Sequence, residues 1–119
     1  PLLPETHHLI RGAHLAAMKP GSTFINTARG AVVAEAEMID VLRQRPDLHA
    51  VLDVTDPEPP ATDSPLFDLP NVTLTPHVAG TCRAEAPRLG RAMIEEFHRW
   101  RQSQPLHHAL TPEIVAHSA

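Results

Sequence analysis

The sequence predicts an α/β domain built on a parallel sheet, and three observations support this fold class. Short apolar runs at residues 22–26, 49–53 and 72–75 are typical of buried strands. An amphipathic segment at residues 34–44 separates the first two runs, and a longer one follows the third. Strands separated by crossovers favour parallel pairing, although the second crossover contains only one predicted helical turn.

Two short helical pieces are predicted before the first strand. Thr6 is a candidate N-cap for a turn through His7 and His8. Residues 13–18 form the second piece, which the sequence Lys-Pro-Gly at residues 19–21 ends. The first strand then leads into a polar, glycine-bearing segment.

The middle of the chain is predicted to alternate helix, strand and loop. Helical spacing of Met38, Val41 and Leu42 predicts about three turns over residues 34–44. The strand at residues 49–53 ends in an acid, and the proline-rich stretch 54–70 reads as an ordered surface loop with a turn at residues 65–69.

A long helix ending near Ser103 is predicted after the third strand. Pro87 near its start implies that the helix begins late or is kinked there. One face carries an apolar stripe, interpreted as packing, and another a charged set, interpreted as a solvated face with a Glu95–Arg99 pair. The stripe comprises Leu89, Met93, Phe97 and Trp100, and the charged set comprises Glu95, Glu96, Arg99 and Arg101. Residues 105–119 show no clear period.

Composition limits the classes of function. The chain has 119 residues, 42% of them hydrophobic, which fits one modest domain. The net charge of −4, with scattered basic residues, argues against nucleic-acid binding, and no apolar run approaches the length of a membrane span. The single cysteine, Cys82, fits a reducing compartment, so we expect a cytoplasmic location. Because the chain starts at Pro1 in what reads as the middle of a fold, we expect a fragment.

Four ionisable residues are predicted to meet at one edge of the sheet. Arg29 follows the first strand, Asp53 ends the second, Glu58 lies five residues further on, and His77 follows the third. Ligands of such sheets bind beyond the carboxyl ends of the strands. Taken singly, each residue also has a structural interpretation: a structural histidine, a surface ion-pair arginine, a strand-ending aspartate or a solvated loop acid.

Together these residue types suit one kind of chemistry. A histidine beside a carboxylate has its charged form favoured and can donate a proton as a general acid. An arginine offers a planar fork of donors to a carboxylate. Glu58 lies between Pro57 and Pro59, which stiffen the backbone on either side. These roles suit interconversion of a 2-oxo acid and a 2-hydroxy acid, with hydride from a cofactor.

Three sequence stretches carry a family resemblance. They are MKPGSTFINTARG at residues 18–30, LDVTDPEP at 52–59 and LPNVTLTPHVAG at 69–80. They resemble the signature regions of the NAD-dependent D-isomer-specific 2-hydroxyacid dehydrogenases, and the match extends from PETHHLI at residues 4–10 to PLHHALTPE at 105–113. The resemblance implies the second half of a Rossmann-like nucleotide-binding domain at residues 1–103, with a return segment toward the substrate domain at 104–119.

The resemblance also implies roles for individual residues. Arg29 matches the arginine that binds the substrate carboxylate, His77 the acid/base, and Glu58 its carboxylate partner. Asp53 matches an aspartate that contacts the nicotinamide carboxamide. Two further cofactor-contacting runs are implied, namely Thr27, Ala28 and Arg29, and His77, Val78, Ala79 and Gly80. Ala34 stands where relatives usually have an acid, next to the retained Glu35.

No metal site is expected. The adjacent His107 and His108 lack paired ligands at helical spacing and are interpreted as surface histidines. Cys82 is interpreted as a small half-buried residue in preference to a reactive thiol.

The leading hypothesis is an NAD-dependent D-2-hydroxyacid dehydrogenase with His77 as acid/base, acting on a small 2-oxo or 2-hydroxy acid, with NADP left open and a homodimer as the family's usual state. Formate dehydrogenase resembles the pattern but normally carries glutamine where Glu58 stands, and phosphite oxidation stays open. One alternative is an NAD(H)-binding corepressor or sensor with the same triad. Another is an inactive truncated product. The substrate is not identifiable from these residues.

Overall fold

The computed structural model describes residues 1–80 and 85–118. The chain forms two compact units, Pro1–Val78 and Ala79–Ala119. The strands are β1 (Thr23–Asn26), β2 (His49–Leu52) and β3 (Val72–Leu74), and the α-helices are α1 (Gly12–Ala16), α2 (Glu35–Gln44), α3 (Glu85–Arg101) and α4 (Pro112–Ala116). Short 3-10 helices cover Pro4–Thr6, Gly30–Val32 and Pro65–Phe67.

The three strands form a parallel sheet in the order β1-β2-β3, as the sequence predicts. Ala50 in β2 pairs with Phe24 on one side and Val72 on the other. Parallel order brings the carboxyl ends of all three strands to the same edge of the sheet. Side chains that follow β1, β2 and β3 are therefore neighbours in space.

The core of the first unit lies between the sheet and α2. Met38, Ile39 and Leu42 are the buried residues of α2, and they pack with Leu15, Leu52 and other apolar side chains. Glu35 and Glu37 lie in the first turn of α2 and Arg43 in the last, the charge distribution that the helix dipole favours. The predicted helix is thus confirmed, beginning one residue later than the pattern indicates.

Asn71 joins the end of α2 to the start of β2 from inside the protein. Its side-chain amide nitrogen donates to the carbonyl oxygens of Leu42 at 3.0 Å and Leu48 at 2.9 Å. The side chain is buried, and the Leu42 carbonyl lies in the last turn of α2, where a helix leaves acceptors without an intrahelical partner. Asn71 therefore supports the strand that leads to the predicted site.

The N-terminal prediction is wrong in detail. Thr6 ends the 3-10 helix Pro4–Thr6 and does not cap a following turn. Its hydroxyl oxygen accepts a hydrogen bond from the backbone N–H of Leu3 at 2.7 Å, so the side chain closes the preceding turn. Within the described ranges, no helix is long and apolar enough to cross a membrane.

The second unit is organised around α3. Pro87 lies in the first turn of this helix as the structure describes it, where a missing N–H is tolerated. Glu96 is buried, and its carboxylate accepts the backbone N–H groups of His107 and His108. These bonds, the one from His108 first, hold the pKa of Glu96 below its usual range.

Two interpretations of the α3 side chains need correction. Glu96 is not part of a solvated face, and the ion pair of Arg99 is with Glu96, at 3.8 Å between Nε and Oε1. The apolar stripe is not buried in this chain, because its four side chains remain at least half exposed: Leu89, Met93, Phe97 and Trp100. The tail also contains a helix, α4, which no periodicity predicts.

Candidate active site

The predicted site residues of the first unit follow the three strands. Thr27, Ala28 and Arg29 come directly after β1, Asp53 directly after β2, and His77 three residues after β3. Asp53 is buried, Arg29 is partly buried, and His77 is exposed. Of the remaining predicted cofactor contacts, Val78 is half exposed and Ala79 and Gly80 are exposed in the second unit. Cys82 lies outside the described residues.

His77 and Glu58 form a close pair. Nδ1 of the imidazole is 2.5 Å from Oε1 of the carboxylate, and the two side chains are 46% and 40% exposed. A carboxylate accepts hydrogen bonds, so this contact assigns a proton to Nδ1 and does not involve Nε2. The backbone of His77 has φ of 50°, in the left-handed region that few non-glycine residues adopt.

Asp53 fixes the segment that carries His77. Its carboxylate accepts hydrogen bonds from the Thr75 hydroxyl and from the backbone N–H of Val78, the latter at 2.9 Å. Its carbonyl oxygen accepts the backbone N–H of His77 at 3.1 Å. Asp53 thus bonds the backbone of His77 itself and also one residue on each side of it, Thr75 and Val78.

Two hydrogen bonds hold the loop that carries Glu58. The Thr55 hydroxyl donates to the Pro57 carbonyl at 2.9 Å, and the backbone N–H of Asp56 donates to Oε2 of Glu35 at 2.9 Å. Burial raises the pKa of Glu35, partly offset by the Asp56 N–H bond, while the nearby Asp56 charge raises it further. Glu35, in the first turn of α2, therefore anchors the loop at Asp56, two residues before Glu58.

The loop after β1 contacts the loop after β2 through a glycine. A Cβ atom on Gly30 would lie 1.9 Å from the carbonyl oxygen of Thr55 and 2.7 Å from the backbone nitrogen of Asp56. Only a residue without a side chain permits this approach. The backbone next to Arg29 and the backbone that leads to Glu58 are consequently in direct contact.

Asn26 shapes the loop that carries Arg29. Its amide nitrogen donates to the Arg29 carbonyl at 3.2 Å, and its side-chain oxygen accepts the Ala28 N–H at 3.1 Å. The Arg29 guanidinium donates to the Ala28 carbonyl at 2.7 Å, so the side chain folds back on its own loop. The structure brings Asp53, Glu58 and His77 together by side-chain or backbone bonds, whereas Arg29 joins them through the contact at Gly30.

A cavity of about 500 Å³ opens beside Glu58. Its polar lining includes Asp53, Thr55 and Thr75. The rest of the lining is apolar and comes from the loop after β2 and the end of β3: Val54, Pro59, Pro60, Phe67, Leu74 and Pro76. Such a mainly apolar recess with a few convergent polar groups is typical of small-molecule sites.

Sequence reasoning missed the residues that brace the site, namely Asn26, Gly30, Glu35 and Thr75. Asn26 carries a local signal, because an asparagine side chain often bonds the backbone two residues further along the chain. The contacts of the other three join segments that are about twenty or more residues apart, and no local pattern reveals them.

The arrangement can bind an anionic, polar ligand and move one proton. Arg29 supplies a cation, the His77–Glu58 pair supplies a proton donor or acceptor, and the sheet edge supplies the usual position of a bound nucleotide. A parallel α/β sheet with polar and charged side chains at its carboxyl edge is the arrangement of a Rossmann-like nucleotide-binding domain.

Comparison with known proteins agrees with this class. Residues 1–79 match the family model described as D-isomer specific 2-hydroxyacid dehydrogenase, NAD binding domain. The glyoxylate/hydroxypyruvate reductase B of Pectobacterium carotovorum is 50% identical over 115 residues, which are 97% of this chain and 36% of the relative. The (S)-sulfolactate dehydrogenase of Chromohalobacter salexigens is 41% identical over 99 residues, covering 83% of this chain and 32% of the relative.

A solved structure is also similar to this chain. The D-isomer specific 2-hydroxyacid dehydrogenase of Xanthobacter autotrophicus Py2, in complex with NADPH and MES, superposes with a TM-score of 0.76 at 38% identity, over 95% of this chain and 36% of that one. The chain belongs to the NAD-binding domain family of the D-isomer-specific 2-hydroxyacid dehydrogenases. It spans about a third of the length of the relatives named here.

Proposed function

We propose that this chain is the acid/base part of an enzyme that interconverts a 2-oxo acid and a D-2-hydroxy acid with NAD(H), with NADP(H) also open as the cofactor. The observation that carries the proposal is the 2.5 Å contact between Nδ1 of His77 and Oε1 of Glu58. This contact orients the imidazole and leaves its other nitrogen for the substrate oxygen. Glu58 also balances the positive charge of the protonated ring.

The cofactor fit rests on the edge of the sheet. The exposed residues Thr27 and Ala28 follow β1, and exposed Val78 follows β3, on either side of β2, which Asp53 directly follows. We propose that these residues and Arg29 contact the nicotinamide end of the cofactor, together with Ala79 and Gly80. When bound, the cofactor supplies a hydride to the carbonyl carbon of the substrate or accepts one in the reverse direction.

The protein groups do the rest of the reaction in our proposal. Arg29 binds the substrate carboxylate and fixes the carbonyl beside His77. Nε2 of His77 gives a proton to the carbonyl oxygen as the carbon is reduced, which yields the hydroxyl of the product. In the oxidation, Nε2 takes that proton back. Asp53 keeps the His77 segment in place through Thr75 and Val78.

We also propose the organisation of the complete enzyme. Residues 1–103 form the second half of the nucleotide-binding domain, residues 104–119 return toward a substrate domain, and the enzyme is a cytoplasmic homodimer. The 119 residues contain no G-x-G-x-x-G sequence to bind a pyrophosphate. The isolated chain is therefore expected to bind NAD poorly and to be inactive.

The test replaces His77 in the complete enzyme. We expect His77→Gln to lower turnover with a panel of 2-oxo acids by at least about 100-fold, because general acid catalysis contributes about 10² to 10⁴. NADH binding, followed by fluorescence, is expected to survive. His49→Gln is the matched control, because His49 is exposed and begins β2 at the opposite end of the sheet.

Two results would reject the proposal. Normal turnover in His77→Gln would remove the assigned acid/base role. Absence of turnover on every 2-oxo acid in the unmodified complete enzyme, with intact NADH binding, would instead favour a sensor that uses cofactor occupancy. Cofactor titration of the isolated 119 residues separately tests whether this chain alone is inactive.

A further inference from the structure

Two histidines and an aspartate form a cluster that includes neither His77 nor Glu58. His7, His8 and Asp56 each place one potential ligand atom so that all three atoms lie within 4.8 Å of one another. His7 and His8 follow the 3-10 helix Pro4–Thr6, whereas Asp56 lies in the loop after β2. A cluster that joins two segments 48 residues apart arises from the tertiary fold and not from sequence adjacency alone.

The backbone under these side chains is held in place. The N–H of His8 donates to the Ala31 carbonyl at 2.8 Å, and the N–H of His7 donates to the Leu3 carbonyl at 3.1 Å. His8 has φ of 52°, a conformation uncommon for histidine, which fixes the direction of its side chain relative to His7. On the other segment, Glu35 accepts the N–H of Asp56 at 2.9 Å. These anchors hold the backbone before a ligand arrives, so that binding has to order the side chains and not the backbone.

The surroundings favour a cation. A recess of about 300 Å³ is lined by His8 and Asp56 together with Glu35, Glu37 and Arg11. The Arg11 guanidinium is bonded to Glu37 at 2.9 Å, so its charge is already matched. Glu35 and Asp56 then place two carboxyl groups in the recess with the His8 imidazole.

The ligand types indicate the kind of ion. Two imidazole nitrogens and one carboxylate oxygen suit Zn²⁺, Co²⁺, Ni²⁺ or Cu²⁺, whereas Mg²⁺ and Ca²⁺ prefer all-oxygen sites. Three protein ligands leave at least one coordination position for water. The His7 and His8 rings are stacked, with centroids 3.9 Å apart and an angle of 29° between the ring planes.

We propose that His7, His8 and Asp56 form a binding site for a divalent transition-metal ion, with Zn²⁺ as the representative ion. A bound ion would connect the N-terminal segment to the loop that carries Glu58. The proposal is independent of the dehydrogenase function, because it concerns ion binding alone. It differs from the expectation from sequence that the chain has no metal site, which rested on His107 and His108.

The test is a titration of the full chain with Zn²⁺ against a chromogenic chelator. We expect one equivalent to bind to the wild type. His7→Gln, His8→Asn and Asp56→Asn are each expected to weaken the affinity by more than about 10-fold, since changes even in residues that only support a ligand cost that much. Asparagine is chosen at position 8 because it tolerates the left-handed backbone. The matched control is the double variant His107→Gln/His108→Gln, which removes another adjacent exposed pair.

A second measurement needs no variant. Electron paramagnetic resonance of the wild type with one equivalent of Cu²⁺ is expected to show couplings from two imidazole nitrogens. The proposal is overturned if the wild type does not bind one Zn²⁺ or if Asp56→Asn binds Zn²⁺ as tightly as the wild type. It is also overturned if the control pair accounts for the affinity, or if the Cu²⁺ spectrum shows fewer than two imidazoles. Any of these results would leave the stacked histidines as ordinary surface residues.

Discussion

The contact at Gly30 allows a quantitative prediction for the variant Gly30→Ala. The added Cβ would meet the Thr55 carbonyl oxygen at 1.9 Å and the Thr55 carbonyl carbon at 2.1 Å. Both are backbone atoms, so no side-chain rotation relieves the clash. To restore ordinary contact near 3.4 Å, the two loops must separate by about 1.5 Å. Overpacking of this kind costs about 1–3 kcal/mol, and backbone partners place the expected cost in the upper half of that range.

The assay is urea unfolding of the chain, followed by circular dichroism. A loss of about 2 kcal/mol at a denaturant slope of about 1–3 kcal/mol per M lowers the midpoint by about 1 M. Gly90→Ala is the matched control: Gly90 lies inside α3 with open space around it, so alanine is expected to stabilise that helix by about 0.5–1 kcal/mol. In the complete enzyme, a 1 Å displacement of the Glu58 loop is expected to cost about 100-fold in turnover. A Gly30→Ala chain as stable as the wild type would refute the reasoning.

Three further predictions test residues that support the fold and the site. Asn71→Ala leaves two buried carbonyls without donors and is expected to lower the free energy of unfolding by about 2–3 kcal/mol in urea titrations. Hydrogen bonding to Arg45 lowers the pKa of Asp47 to about 2, so its stabilising contribution is present above the ordinary value of 3.8 and is lost as the pH falls toward 2. Asp47→Asn should accordingly flatten the acid side of the stability profile measured by thermal unfolding, and an unchanged profile would contradict the assignment. Glu35→Ala removes the acceptor of the Asp56 N–H and is expected to reduce turnover of the complete enzyme, whereas Glu35→Gln, which keeps an oxygen there, should retain it.

The sequence predicts the sheet and the position of its site because both depend on local patterns. Three short apolar runs identify β1, β2 and β3, and the carboxyl-end rule then brings Asp53, Glu58 and His77 to one edge. Parallel strand order and the His77–Glu58 contact confirm that part of the reasoning. Patterns of this type can be identified without knowing which residues far along the chain are in contact.

Glu96 shows why other features were not predictable. Its spacing with neighbouring charges is typical of a solvated helix face, yet its carboxylate is buried against backbone N–H groups eleven and twelve residues further along. Sequence patterns reveal the side-chain periodicity of a helix, but they do not show that a later segment of the chain packs against that helix. For the same reason sequence patterns do not reveal the roles of Glu35 and Gly30, since each contacts a backbone segment that only the tertiary fold brings near.

The His77–Glu58 pair and Arg29, the two groups proposed to act on the substrate, differ in how firmly the protein holds them. The loop that carries Glu58 is held by Glu35, by Thr55 and by the contact at Gly30, so the carboxylate meets His77 before any ligand binds. One guanidinium nitrogen of Arg29 instead donates a hydrogen bond to the Ala28 carbonyl oxygen. If Arg29 receives the substrate carboxylate, as we propose, a neutral acceptor is exchanged for a charged, bidentate one, which is the stronger bond. In this proposal the His77–Glu58 pair is held in place before binding, while the arginine gains its full set of hydrogen bonds only when the substrate binds.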